Sequence, residues 1–176
     1  MKRSVVTYHL EMRSPAECRP AQRPHPGLRV ERVNPPSPEL NRCLYTTVGK
    51  DWHWTDRLVW TDAQWNEYAH RPEVQTWMGY VQDTPAGYFE LEKQPQDNVE
   101  IVYFGLLPDF IGQGFGGHLL TRAVECAWQM GARRVWVHTC SLDHPAALSN
   151  YQARGFRIFQ TEETGIPAGA GGPSGD

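Results

Sequence analysis

Short stretches of two-residue alternation dominate the first and middle thirds of the chain, and helical periodicity takes over towards its end. Thr7 to Met12 alternates well enough for a strand, and Leu28-Arg29-Val30-Glu31-Arg32-Val33 alternates cleanly; Pro15, Pro20, Pro24 and Pro26 make the stretch between them a loop. Ser37-Pro38 supplies an N-cap and a first helical position, predicting a helix through Leu40, Leu44 and Tyr45 towards Gly49. Thr61 and Gln64 have capping-box spacing for a second short helix through Trp65 and Tyr68, ended before Pro72. Gln75 to Val81 and Ala86 to Glu92 predict a hairpin turned by Gln82-Asp83-Thr84-Pro85, and Val99 to Leu107 predicts a third strand. A helix from His118 to Met130, a strand from Arg134 to Thr139, a helix from about Pro145 to Arg154 and a strand from Phe156 to Thr161 complete the pattern. The order is antiparallel first and βαβ afterwards, an α/β (α+β) domain with a mixed central sheet. Residues 1–164 form this one domain, and the Gly/Pro-rich stretch 165–176 has no capacity to build a core and reads as a disordered tail.

The junction between the third strand and the long helix, Gly112-Gln113-Gly114-Phe115-Gly116-Gly117, carries four glycines in six positions. Glycines this dense cost conformational entropy, so the backbone there is expected to approach something closely. A phosphate fits, because a helix N-terminus offers unpaired N–H groups and the positive end of the helix dipole. The segment lacks the Gly-Lys-Ser/Thr ending of a nucleoside-triphosphate loop. Gly112, Gly114 and Gly117 have dinucleotide-fold spacing, but the next strand ends in no acidic ribose anchor.

Composition narrows the partners. A chain of 176 residues with net charge −3 is one domain, and no Lys/Arg-rich run marks a nucleic-acid surface. Cys18, Cys43, Cys126 and Cys140 are far apart and form no Cys-x-x-Cys pair, which suits reduced thiols in a soluble cytoplasmic protein. No stretch approaches membrane-spanning length, so neither membrane nor nucleic acid is expected as a partner. His53, His138 and His144 lack zinc-site spacing and read as structural, with no metal implied.

Two motifs occur in a telling order. Gly114-Phe115-Gly116 followed by Leu119-Leu120 opens the long helix, and Tyr151-Gln152-Ala153-Arg154-Gly155-Phe156 closes the last one. With the element order, these resemble the GNAT superfamily of acetyl-CoA-dependent N-acetyltransferases, well over Trp77 to Thr161 and loosely before that. Ile111 stands where the family has Arg or Gln, and Asp143-His144-Pro145 where it has Asn; Asp143 or His144 is then expected to cap the last helix.

The resemblance implies a GNAT fold whose strands splay at the acetyl-CoA site, acetyl-CoA as cosubstrate, and transfer of its acetyl group to the primary amine of a small molecule. It implies that the backbone of Phe104, Gly105 and Leu106 runs beside the pantetheine arm, with a bulge near Gly105, that Gln113, Gly114, Phe115, Gly116 and Gly117 surround the diphosphate, and that His144 flanks the arm. Acetyl transfer needs a base for the amine and a proton for the departing thiolate. Tyr151 matches the family's proton donor, and Glu100, in a Glu-Ile-Val-aromatic run, matches the base of one branch; Glu90 is the competing base. In the linker between the two early helices, Trp52 and Trp54 suit a cationic amine and Arg57 a substrate carboxylate, and Glu90 is also expected among the substrate-binding residues. A catalytically silent acetyl-CoA-binding module, and an acetyltransferase acting on protein N-termini or lysines, remain as alternatives. A homodimer and an acyl group longer than acetyl are also open.

Overall fold

The computed structural model describes residues 4–21 and 27–165, and the tail expected to be disordered lies, apart from Gly165, outside them. Seven strands form one sheet: β1 (Ser4–Met12), β2 (Leu28–Arg32), β3 (Val74–Val81), β4 (Thr84–Gln94), β5 (Asn98–Leu106), β6 (Arg134–Cys140) and β7 (Arg157–Gly165). Their order is β2-β3-β4-β5-β6-β1-β7. All pairings are antiparallel except β5 with β6. Among the described residues four α-helices accompany it: α1 (Pro38–Gly49), α2 (Asp62–Ala69), α3 (Phe115–Gln129) and α4 (Ala147–Ala153).

Both early helices begin where their caps predict. The Ser37 hydroxyl accepts the Leu40 amide at 3.3 Å, and Thr61 and Gln64 exchange hydrogen bonds of 2.8 and 3.2 Å as a reciprocal box. These helices lie against β3, β4 and β5, while α3 covers the opposite face. Leu119, Leu120, Ala123, Val124 and Ala127 form the buried stripe of α3, packed on Leu10, Phe89, Leu91, Val99, Ile101, Val135 and Val137 from the sheet. Helix α3 begins three residues earlier than the periodicity predicts, because buried Phe115 anchors its first turn and Gly116 and Gly117 already lie inside it.

The parallel pair decides the architecture of the site. β5 and β6 hold register only at Asn98 with Arg134, Val99 with Val135 and Glu100 with Trp136, and they separate beyond. The bulge expected near Gly105 sits earlier: Leu91 faces Ile101 while Glu90 faces Tyr103, so Val102 is the extra residue. An inserted residue reverses the facing of the positions after it, which turns Tyr103 towards α1 and Phe104 towards the α3 side. Gly105 has a different task. A Cβ there would collide with Val48 of α1, so the missing side chain lets the helix seat directly on the strand.

Replacing Gly105 with Ala should therefore cost about 1–3 kcal/mol of stability by overpacking, visible as a lower urea midpoint at an unchanged slope. An unchanged midpoint would contradict the seating of α1 on β5.

Candidate active site

Where β5 and β6 part, a cavity of about 750 Å3 passes through the sheet. Its walls are Ile101, Val102, Tyr103, Phe104, Gly105 and Leu106 from β5, and Val137, His138 and Cys140 from β6. One end reaches the glycine turn and α4, at Ile111, Gly112, Gly116, Gly117, Ser149 and Asn150. The other reaches the α1–α2 linker, at Trp52, His53, Trp54 and Asp56.

At the glycine end the turn is left-handed and open. Gly112 and Gly114 adopt φ of +82° and +85°, which side chains resist, and no atom lies within 4 Å of where their Cβ would be. No side chain caps α3, and its first turn carries no acidic residue. Gly116 and Gly117 line the cavity, with the Arg154 side chain packed over Gly117. Of the residues expected around the diphosphate, Gln113, Gly114 and Phe115 do not line the cavity. Gln113 folds back to donate to the Asp109 carbonyl at 2.7 Å, and Phe115 turns inward against Phe110.

In the middle of the cavity Tyr151 is buried, with its ring edge-on to Phe104 and Phe156. Burial, and secondarily the carboxylate of Asp143, hold its phenol above the ordinary pKa of 10, so the proton stays on oxygen at neutral pH. Helix α4 begins at Ala147, later than predicted, and neither Asp143 nor His144 caps it. Asp143 is pulled back to β6, accepting from the Thr139 hydroxyl at 2.7 Å and the Cys140 amide at 2.9 Å, and from the indole of Trp54 at 3.3 Å. His144 accepts the Ala146 amide through Nδ1 at 3.0 Å and meets the Trp52 ring edge-on at 4.8 Å. Trp52 and Trp54 thus join the α1–α2 linker to the β6–α4 turn across the cavity.

Arg57 and Glu90 are not where a substrate group could use them. The guanidinium lies 3.0 Å from both Glu90 oxygens and is caged by Tyr45, Trp60, Trp65, Tyr68 and Tyr103, its carbon 4.2 Å from the centre of Tyr68. Glu90 is fully buried, and neither residue lines the cavity. Burial opposes the charge on Arg57, but Glu90 outweighs it and raises its pKa above the ordinary value. Glu90 is therefore committed to Arg57 rather than poised as a base, and Arg57 anchors the linker from which Trp52, Trp54 and Asp56 project. Glu90→Ala, which leaves the guanidinium buried and unpaired, should cost about 3–5 kcal/mol; a melting temperature equal to wild type would contradict this anchor.

Glu100 sits at the origin of the gap, 8% exposed and just outside the cavity lining. Burial, reinforced by Glu92 on the adjacent strand, pushes its carboxyl pKa up to about 7, although a 3.0 Å hydrogen bond from Gln94 works the other way. Its second oxygen lies 3.6 Å from Nδ1 of His138. His138, Asn150, Ser149, Asp56 and Cys140 belong to the cavity although motif reading did not single them out as site residues. For His138 a usable signal existed: alternation with the buried Val135, Val137 and Thr139 turns Trp136, His138 and Cys140 to the opposite face. Among the described residues no group of His, Cys, Asp and Glu is placed to hold a metal ion, and no helix is long and apolar enough to cross a membrane.

A sheet opened between two parallel strands, with a glycine turn at one mouth and a buried phenol in its wall, frames the site. Residues 38–156 match the Acetyltransferase (GNAT) family, and the chain belongs to that family. It is 36% identical over 94 residues to the uncharacterized N-acetyltransferase YvbK of Bacillus subtilis (strain 168), a match covering 53% of this chain and 58% of that protein. A Bacillus subtilis acetyltransferase solved in complex with CoA superposes with a TM-score of 0.54 at 26% identity, over 74% of this chain and 76% of the other. A GCN5-related N-acetyltransferase from Kribbella flavida matches 93% of this chain and 59% of its own length, with a TM-score of 0.67 at 17% identity. The chain thus spans under two thirds of both YvbK and the Kribbella protein.

Proposed function

We propose that this protein transfers the acetyl group of acetyl-CoA to the primary amine of a small molecule. The observation that carries the reading is the continuous cavity through the β5–β6 gap, with the glycine turn at one end, Tyr151 in its wall and an aromatic and acidic mouth at the other. Main-chain N–H groups at the head of α3, together with the helix dipole, suit the diphosphate. The pantetheine arm then follows Phe104, Gly105 and Leu106, whose outward N–H and C=O groups are not taken up by β6. A related acetyltransferase carrying CoA supports the same cosubstrate.

At the far mouth Trp52, Tyr103 and the Asp56 carboxylate favour a cationic amine. The linker closing over this mouth through Trp54–Asp143 and Trp52–His144 favours a compact acceptor over a peptide. Attack by the neutral amine forms the C–N bond; collapse breaks the C–S bond, and Tyr151 protonates the departing thiolate. Glu100 supplies the carboxylate on the base side. A silent CoA-binding module is the competing reading, and the protonated, buried phenol of Tyr151 favours the enzyme over it.

Calorimetric titration with acetyl-CoA, followed by a thiol-release assay over a panel of small amines, should show both binding and turnover; binding without turnover on any amine would support the silent module. Tyr151→Phe should lower kcat by about 100-fold, the scale of a lost general acid, while leaving the acetyl-CoA Kd unchanged. A rate equal to wild type would remove Tyr151 from the reaction.

A further inference from the structure

The base side has a geometric difficulty. Glu100 does not line the cavity, and the side chain that does is His138, which stands between that carboxylate and the open space. One Glu100 oxygen is taken by the Gln94 amide at 3.0 Å and the other faces Nδ1 of His138 at 3.6 Å. Four other titratable groups of the wall are already engaged or held protonated. Asp143 already accepts three hydrogen bonds, His144 accepts through Nδ1 from the Ala146 amide, and Tyr103 and Tyr151 are phenols held protonated by burial.

From this juxtaposition we infer that His138 takes the proton from the acceptor nitrogen, with Glu100 behind it as the positioning and counter-charge residue. The inference rests on the acetyltransferase reading above and deepens it. The balance is R–NH3+ plus acetyl-CoA giving the N-acetyl amine, CoA thiol and one proton. Of the two protons lost by nitrogen, one equivalent ends on the thiol sulfur, matched by the Tyr151 donation, and one leaves for solvent. His138 accepts as the C–N bond forms, and the resulting imidazolium faces the Glu100 carboxylate.

The groups facing His138 from each packed element set its charge. Burial lowers its pKa from the ordinary 6.5, and His9 on β1, with ring centres 5.8 Å apart, lowers it further. Asp143 in the β6–α4 turn and Asp56 in the linker pull the other way. Glu100 itself is surrounded by Glu92 and Glu90 on β4 and by Arg57, while His9 is 3.6 Å from Glu162 on β7. Desolvation and His9 thus favour the neutral imidazole, the state a base requires, against the pull of Asp143 and Asp56.

The test uses the full chain, acetyl-CoA and the best amine of the panel. In wild type, log kcat/KM should fall more steeply with decreasing pH below about 7, because the Glu100–His138 pair gains protons there in addition to the amine. His138→Gln should lower kcat by about 100-fold, leave the KM for acetyl-CoA unchanged and abolish the extra steepening. Glu100→Gln should keep it but move it to lower pH, since an imidazolium without its counter-charge loses its proton more readily. Imidazole in the buffer should restore part of the rate to His138→Ala. Variants of His138 that melt like wild type and retain both kcat and the steepening would overturn the inference alone. A wild-type protein that acetylates no amine would overturn the acetyltransferase reading and this inference with it.

Discussion

Three residue pairs hold β5 to β6, and the architecture of the cavity depends on where that pairing stops. Beyond Glu100 and Trp136 the two strands would normally exchange main-chain hydrogen bonds; here they leave a gap that the rest of the fold keeps open. The bulge at Val102 twists β5 away, and α1 is seated on Gly105 from one side. Phe104 and Tyr151 wedge the gap from the other. The N–H and C=O groups along this gap are left unpaired by β6, which suits the extended CoA thioester proposed to lie there.

The two mouths differ in chemistry because different elements build them. The glycine turn and the head of α3 present main chain and a helix dipole, suited to anionic charge. The α1–α2 linker presents indoles and Asp56, suited to cationic charge, and it is held there by Arg57 buried against Glu90. Asp143 ties this linker to the end of β6 through Trp54, so the linker mouth and the β5–β6 gap are mechanically joined.

Much of this was legible in the sequence where local rules decide. Ser37 and the Thr61–Gln64 box start their helices, alternation places the strands, and the glycine turn together with Tyr151-Gln152-Ala153-Arg154-Gly155-Phe156 carries the family. The parts that were not legible depend on contacts between distant residues. The Arg57–Glu90 pair joins positions 33 apart, so each residue alone reads as available for substrate. The insertion of β1 between β6 and β7 sets His9 opposite His138, and nothing local to either histidine announces it. Asp143 reads as a helix cap because its neighbours are helical, but Thr139 and Cys140 claim it first.

The central claim is that a CoA thioester lies through the β5–β6 gap with its diphosphate at the head of α3. Amide chemical-shift mapping during titration with CoA tests it directly. The account predicts the largest shifts at Leu106, Gly112, Gly116 and Gly117, smaller ones along Phe104 and at Asn150, and none on the edge strands β2 and β7. Shifts confined to another surface, or none at saturating CoA, would contradict it.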